Sequence, residues 1–166
     1  MEWKWEENSI LYKMSERTQP KDIFDAVCHE VGRFFEKQDG FKPTKRKVKW
    51  RGNHIRCELA FWSSHSNMAG GYVCFEIVTT VYAIDKRDMD RNGILAVNIP
   101  AKDFNVYHID QQIFSQIITY LKQQIEYVRT LDSKEGFTNF MQTRLPGYCN
   151  GEENNCRLLE RLTKQN

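Results

Sequence analysis

The residues whose types and spacing could do chemistry are two glutamates, a histidine, five cysteines and a basic run. If the segment from His54 to Ile84 folds back as a hairpin about Asn67, Glu58 falls opposite Glu76 on one face of a sheet, and His54 shares that face. Carboxylates paired in this way could hold a metal or divide acid and base roles. The structural alternative is an ion-paired rung of Lys47, Glu58 and Glu76, because like charges facing each other across strands are destabilising and call for relief. No further Asp or His stands at a ligand spacing. Neither a catalytic residue nor a metal or cofactor is therefore assigned.

The cysteines stand at positions 28, 57, 74, 149 and 156 and form no CxxC pair. With no export signal in view they read as reduced thiols, with Cys57 and Cys74 packing as small residues on strands. GxSxG, HExxH and a protease-type cysteine context are all missing from the sequence, and Gly70-Gly71 lacks the Lys-Ser/Thr and helix of a phosphate loop. These glycines read as turn chemistry.

The basic run spans Gly40 to Cys57, GFKPTKRKVKWRGNHIRC, with seven Lys or Arg and no Asp or Glu. Lys45, Lys47, Lys49 and Arg51 recur at every second residue, which on a strand places them on one side, where His54 and Arg56 of the next strand join them. Such a face suits an anionic partner, either nucleic-acid phosphate or an acidic protein patch. Lysines on an edge strand also discourage unwanted strand pairing, which accounts for the same pattern without a ligand. Sheet platforms that bind RNA add stacking aromatics. Here the hairpin register pairs Trp62 with Tyr72 on the outer face, at the far end from Arg51, where they serve equally as protein-interface anchors.

The elements that position these residues follow from periodicity. Ile23, Phe24, Val27, Cys28, Val31, Phe34 and Phe35 predict an amphipathic helix over 20–37, with Pro20 in its first turn and Gly40 at its exit. Val48 and Trp50 alternate with cations, and Gly52-Asn53 predicts a two-residue type II′ turn that sets Trp50 against Ile55, Val48 against Cys57 and Lys47 against Glu58. The next hairpin aligns Leu59 with Phe75, Cys57 with Ile77 and Phe61 with Val73, so both hairpins agree on the core side. After a polar loop at 85–92 a fourth strand is predicted over 93–99, ended by Pro100. A second long helix is predicted over 109–131, and further helices follow, one opened by Asp132 with Glu135 and one from Glu152. Trp3 and Trp5 suggest a short strand or an apolar arm.

The reading is therefore a single α+β domain over 1–166, with an antiparallel sheet of about four strands and helices packed on one face. The 40% hydrophobic content can build a core, and a net charge of +2 favours no particular partner. The N-terminus has neither a basic nor an apolar leader region, and no apolar run of about 18 residues occurs, so no membrane partner and a cytoplasmic location are expected.

Gly40, Phe41, Lys42, Arg46, Trp50 and Arg51 carry a resemblance over residues 20–84 to a small bacterial family known only as a domain of unknown function. In that family an amphipathic helix leads to a Gly-Phe-basic segment and a β-meander. The resemblance implies the fold and no catalytic residues; the long loop before the fourth strand and the C-terminal helices depart from it. The chain is also similar in general character to immunity proteins that neutralise bacterial toxins. That similarity implies a non-enzymatic antitoxin-like module whose partner is another protein, a toxin for instance. The surface expected to meet it is the outer face, with Lys45, Lys47, Lys49, Arg51, His54, Arg56, Trp62 and Tyr72, or the hydrophilic 85–92 loop. The alternative is a nucleic-acid-binding module using the basic strand face.

Overall fold

The computed structural model describes residues 3–53, 55–83, 95–133 and 135–136, with side chains placed at all of these except 82–83 and 95–101. The helix predicted from Glu152, that opened by Asp132 apart from residues 133 and 135–136, the 85–92 loop and His54 lie outside the described residues. Helix α1, Pro20–Glu36, forms on the predicted apolar stripe, with Pro20 at its first position and a chain reversal at Gly40, whose φ is +83°. Helix α2, Gln111–Leu131, starts two residues later than expected, because the Asp110 side chain caps it by accepting the Ile113 N–H at 2.7 Å.

Between the helices run β1 Phe41–Thr44, β2 Lys47–Arg51, β3 Ile55–Ser63, β4 Cys74–Ala83 and β5 Leu95–Asn105. They form an antiparallel α+β meander in the order β1-β2-β3-β4-β5. The sheet has one strand more than expected. β1 carries Pro43, which cannot donate to a ladder and is tolerated because β1 is the edge. β2 is consequently an interior strand, and the edge explanation for its lysines does not apply.

The predicted core face is correct, and both predicted registers are displaced. Val48 and Trp50 of β2, Ile55, Cys57, Leu59 and Phe61 of β3, and Phe75, Ile77 and Val81 of β4 are buried together beneath α1 and α2. Trp50 lies opposite Cys57, and Val48 opposite Leu59, a shift of two residues. Gly52 does not have the positive φ of a type II′ turn. Instead Asp132, capping the end of α2, accepts the N–H of Asn53 at 2.7 Å and of Ile55 at 3.1 Å, holding a wider loop. A Cβ on Gly52 would collide with the Asp132 carboxylate, so close approach rather than turn type explains the glycine.

The β3–β4 pairing is displaced by four residues, with Leu59 opposite Thr79, Cys57 opposite Val81 and Phe61 opposite Ile77. Even displacements keep each side chain on its face, which is why the core survives them. β5 continues through Pro100 to Asn105. Its register slips between Ile77↔Lys102 and Thr79↔Ile99, where β5 carries one extra residue, as a bulge does.

The N-terminal segment is the apolar arm. Trp3 stacks on Phe114 of α2 at 5.8 Å and meets Phe34 of α1 edge-on at 5.5 Å, while Trp5 meets Phe114 at 4.9 Å. Glu30 of α1 is fully buried beneath this arm. Its carboxylate accepts the Trp3 Nε1–H and the Glu6 N–H, both at 2.9 Å, and Arg33 at 2.6 Å. A short 3-10 helix, Ile10–Tyr12, then leads towards α1.

Candidate protein-interaction surface

The face of the sheet opposite α1 and α2 carries the sequence-predicted residues, and the structure divides them into groups. Lys45 is not on that face. It sits with Arg46 in the β1–β2 turn, where Arg46 grips Asp25 of α1 through two nitrogens at 2.8 and 3.0 Å and Lys45 approaches the same carboxylate at 3.7 Å. Lys47 and Lys49 are on the face, and both point to Glu58, at 3.0 and 3.5 Å. Lys49 rather than Lys47 stands directly across from it. Arg51 and Arg56 face each other, and Lys42 of β1 faces Lys49. These residues make a cationic corner where β1, β2 and the start of β3 meet.

The predicted carboxylate pair does not form. Glu58 lies opposite Thr80, and Glu76 lies between Trp62 and Asp103. Burial alone would raise the Glu58 pKa, but the hydrogen bond and charge of Lys47, and then those of Lys49, outweigh it and hold the carboxyl below its ordinary range. A carboxylate kept ionised by two lysines is a poor proton donor near neutrality. Among the described residues no three His, Cys, Asp or Glu gather as a metal would require.

The described thiols are similarly quiet. Burial, followed by the nearby Asp25, raises the Cys28 pKa far above the ordinary thiol range. Burial and then Glu58 push Cys57 up to about 12, and burial with Asp103 raises Cys74. A cleft of about 340 Å³ between α1 and the β1–β2 turn is lined in part by Asp25, Cys28, His29 and Arg33. Most of its polar side chains are already engaged: Asp25 with Arg46, Arg33 with Glu30, and His29 with Glu6 at 2.9 Å.

At the opposite end of the outer face, the hairpin joining β3 to β4 exposes three large apolar side chains. Trp62 is 60% exposed, Met68 57% and Tyr72 38%. Trp62 and Tyr72 are not cross-strand partners as expected, since Trp62 pairs with Glu76 and Tyr72 with Met68 in an isolated bridge. The hairpin tip is nevertheless well braced. Asn67 Nδ2 donates to Ser63 Oγ at 3.0 Å and to the Cys74 carbonyl at 2.9 Å, and its Oδ1 accepts the Cys74 N–H at 2.7 Å. Gly70, at φ +70°, supplies the left-handed residue that the loop needs. Met68 gives no signal in the sequence apart from its place in a polar loop, and its exposure follows from the tether at Asn67.

No family model matches the chain, and no curated protein or solved structure does either. Among the described residues no helix is long and apolar enough to cross a membrane.

Proposed function

We propose that this chain is a non-enzymatic protein-binding module, of the immunity or inhibitor type, that meets its partner through the tip of the β3–β4 hairpin. The observation that carries the reading is the exposure of Met68 and Tyr72 on a loop that Asn67 holds in place, beside Trp62 near the end of β3. Aromatic residues and methionine are the side chains enriched at protein interfaces. A loop already fixed by its own hydrogen bonds loses little entropy when it docks, so more of the contact energy appears as affinity. The nucleic-acid reading has less behind it. Two of its lysines neutralise Glu58, Lys45 sits in a turn beside α1, and the exposed aromatics stand at the other end of the sheet from Arg51.

The test is a quantitative capture experiment in the native host with the tagged full-length chain. One protein should be recovered in stoichiometric amount, and recovery should fall at least about tenfold for the Met68→Ala, Tyr72→Ala double variant, a loss of about 1.4 kcal/mol or more in binding. Equal recovery by a variant that still folds would overturn the assignment of the tip.

A further inference from the structure

Among the described residues the outer face carries three directly opposed like-charge pairs, and their positions are systematic. Lys42↔Lys49 and Arg51↔Arg56 lie at the corner formed by β1, β2 and the start of β3. Glu76↔Asp103 lies at the diagonally opposite corner, where the start of β4 pairs with the end of β5. Like charges directly across a ladder destabilise a sheet; at the cationic corner Glu58 relieves Lys49 in part, and at the acidic corner the Glu76↔Asp103 pair carries that cost within a single copy. Neither Glu76 nor Asp103 makes an ion pair with any described residue, and neither do Lys42 and Arg51. Between the corners stand Ala60 and Val78, directly paired and half-buried, with Trp62 one rung further on.

We propose that this face docks against the same face of a second copy, in a two-fold dimer that sets the cationic corner of each chain on the acidic corner of the other. A two-fold axis lying in the interface and passing by Ala60 and Val78, perpendicular to the line joining the corners, exchanges the two corners by geometry alone. Every residue that meets its partner one way is met the other way, as an isologous contact requires. The face holds its own complement: cations at one corner, anions at the other and small apolar residues at the axis. A partner of a single charge would satisfy one corner and aggravate the other.

The area is adequate. Four inter-strand spacings of about 4.8 Å, along strands rising about 3.4 Å per residue, give a face of roughly 20 by 30 Å. That is of the order of the roughly 800 Å² per partner found in specific interfaces once side-chain relief is counted. The dimer goes beyond the proposed function and does not depend on it: Trp62 of β3 belongs to both surfaces, but Met68 and Tyr72 stand on the loop past the end of the paired strands.

Sedimentation of the purified full-length chain should show a monomer–dimer equilibrium whose dissociation constant rises at least about tenfold from low to physiological salt, as screening shortens the reach of the corner charges to about 8 Å. The Lys42→Glu, Arg51→Glu variant and the Glu76→Lys, Asp103→Lys variant should each be monomeric with wild-type circular dichroism. Mixed together they should form a one-to-one heterodimer. The neutral Glu76→Gln, Asp103→Asn variant gives a second readout: relieved of its like-charge pair, it should melt higher at low concentration yet dimerise more weakly. A wild-type chain that stays monomeric at low salt overturns the proposal, and so does a mixture of the two folded reversal variants that fails to associate. Neither result bears on capture through Met68 and Tyr72.

Discussion

The Glu58 carboxylate, with only 14% of its side chain exposed, is the residue at which the basic strand is brought to balance, taking Lys47 at 3.0 Å and Lys49 at 3.5 Å. Its pKa is lower in the folded chain than its ordinary 4.5, because the two lysines outweigh burial. The folded form therefore gains from this group above about pH 4.5, and the gain is lost as pH falls through the folded value. The lysines are nearly half exposed, so the contribution is modest, a few tenths to about 1 kcal/mol. Urea midpoints at neutral pH and near pH 3 should show wild type losing more stability on acidification than Glu58→Gln, which has no proton to take up. Equal losses would count against the ion-paired rung. That Lys47 and Glu58 belong together could be seen from the sequence, since alternation placed both on one face. Their diagonal rather than direct relation could not, because it depends on loop length.

Among the elements, the join between β2, β3 and the end of α2 decides the register of the sheet. Asp132 accepts two backbone N–H groups of the loop, and Gly52 leaves room for its carboxylate. Asp132→Ala should cost about 1–3 kcal/mol, as expected for hydrogen bonds to a charged acceptor. Gly52→Ala should cost at least as much, because the added methyl displaces the same carboxylate and also crowds the Trp50 ring. The double variant should lose less than the sum of the two, because the Asp132 interaction is lost in both, and a denaturant-melt double-mutant cycle measures this. Fully additive losses would show that Gly52→Ala acts through Trp50 or the turn and not through Asp132.

The same join explains what was legible in the sequence. Apolar alternation fixed which side of each strand is buried, and the helical stripes placed α1 and α2 to within two residues. Register depends on contacts between residues far apart in the chain. Asn53 is held by Asp132, 79 positions away, and no local turn rule contains that contact. β1 leaves little trace in the sequence because it is short and holds a proline, and Met68 leaves none because exposure is a property of the folded hairpin.

At the scale of the molecule, Glu30 joins the N-terminal arm to both helices. It is fully buried, it accepts Trp3, Glu6 and Arg33, and Trp3 in turn lies between Phe34 and Phe114. Glu30→Ala should free the arm and lower stability by about 2–3 kcal/mol, seen as a lower denaturant midpoint together with a red shift in tryptophan emission. Glu30→Gln, which keeps one acceptor oxygen, should lose less. An unchanged midpoint for the alanine variant would show that the arm is held by its rings alone.

The meander order bears on how the chain is made. Each strand pairs with the one before it, so a chain growing from a ribosome can extend its sheet strand by strand without waiting for a distant partner. The arm follows the opposite schedule. Trp3 precedes every strand of the sheet in the chain, yet its N–H is answered by Gln111, 108 positions later, and its ring by Phe114 beyond that. The apolar arm is thus made before the sheet, and its seat is complete only once α2 has been added after it.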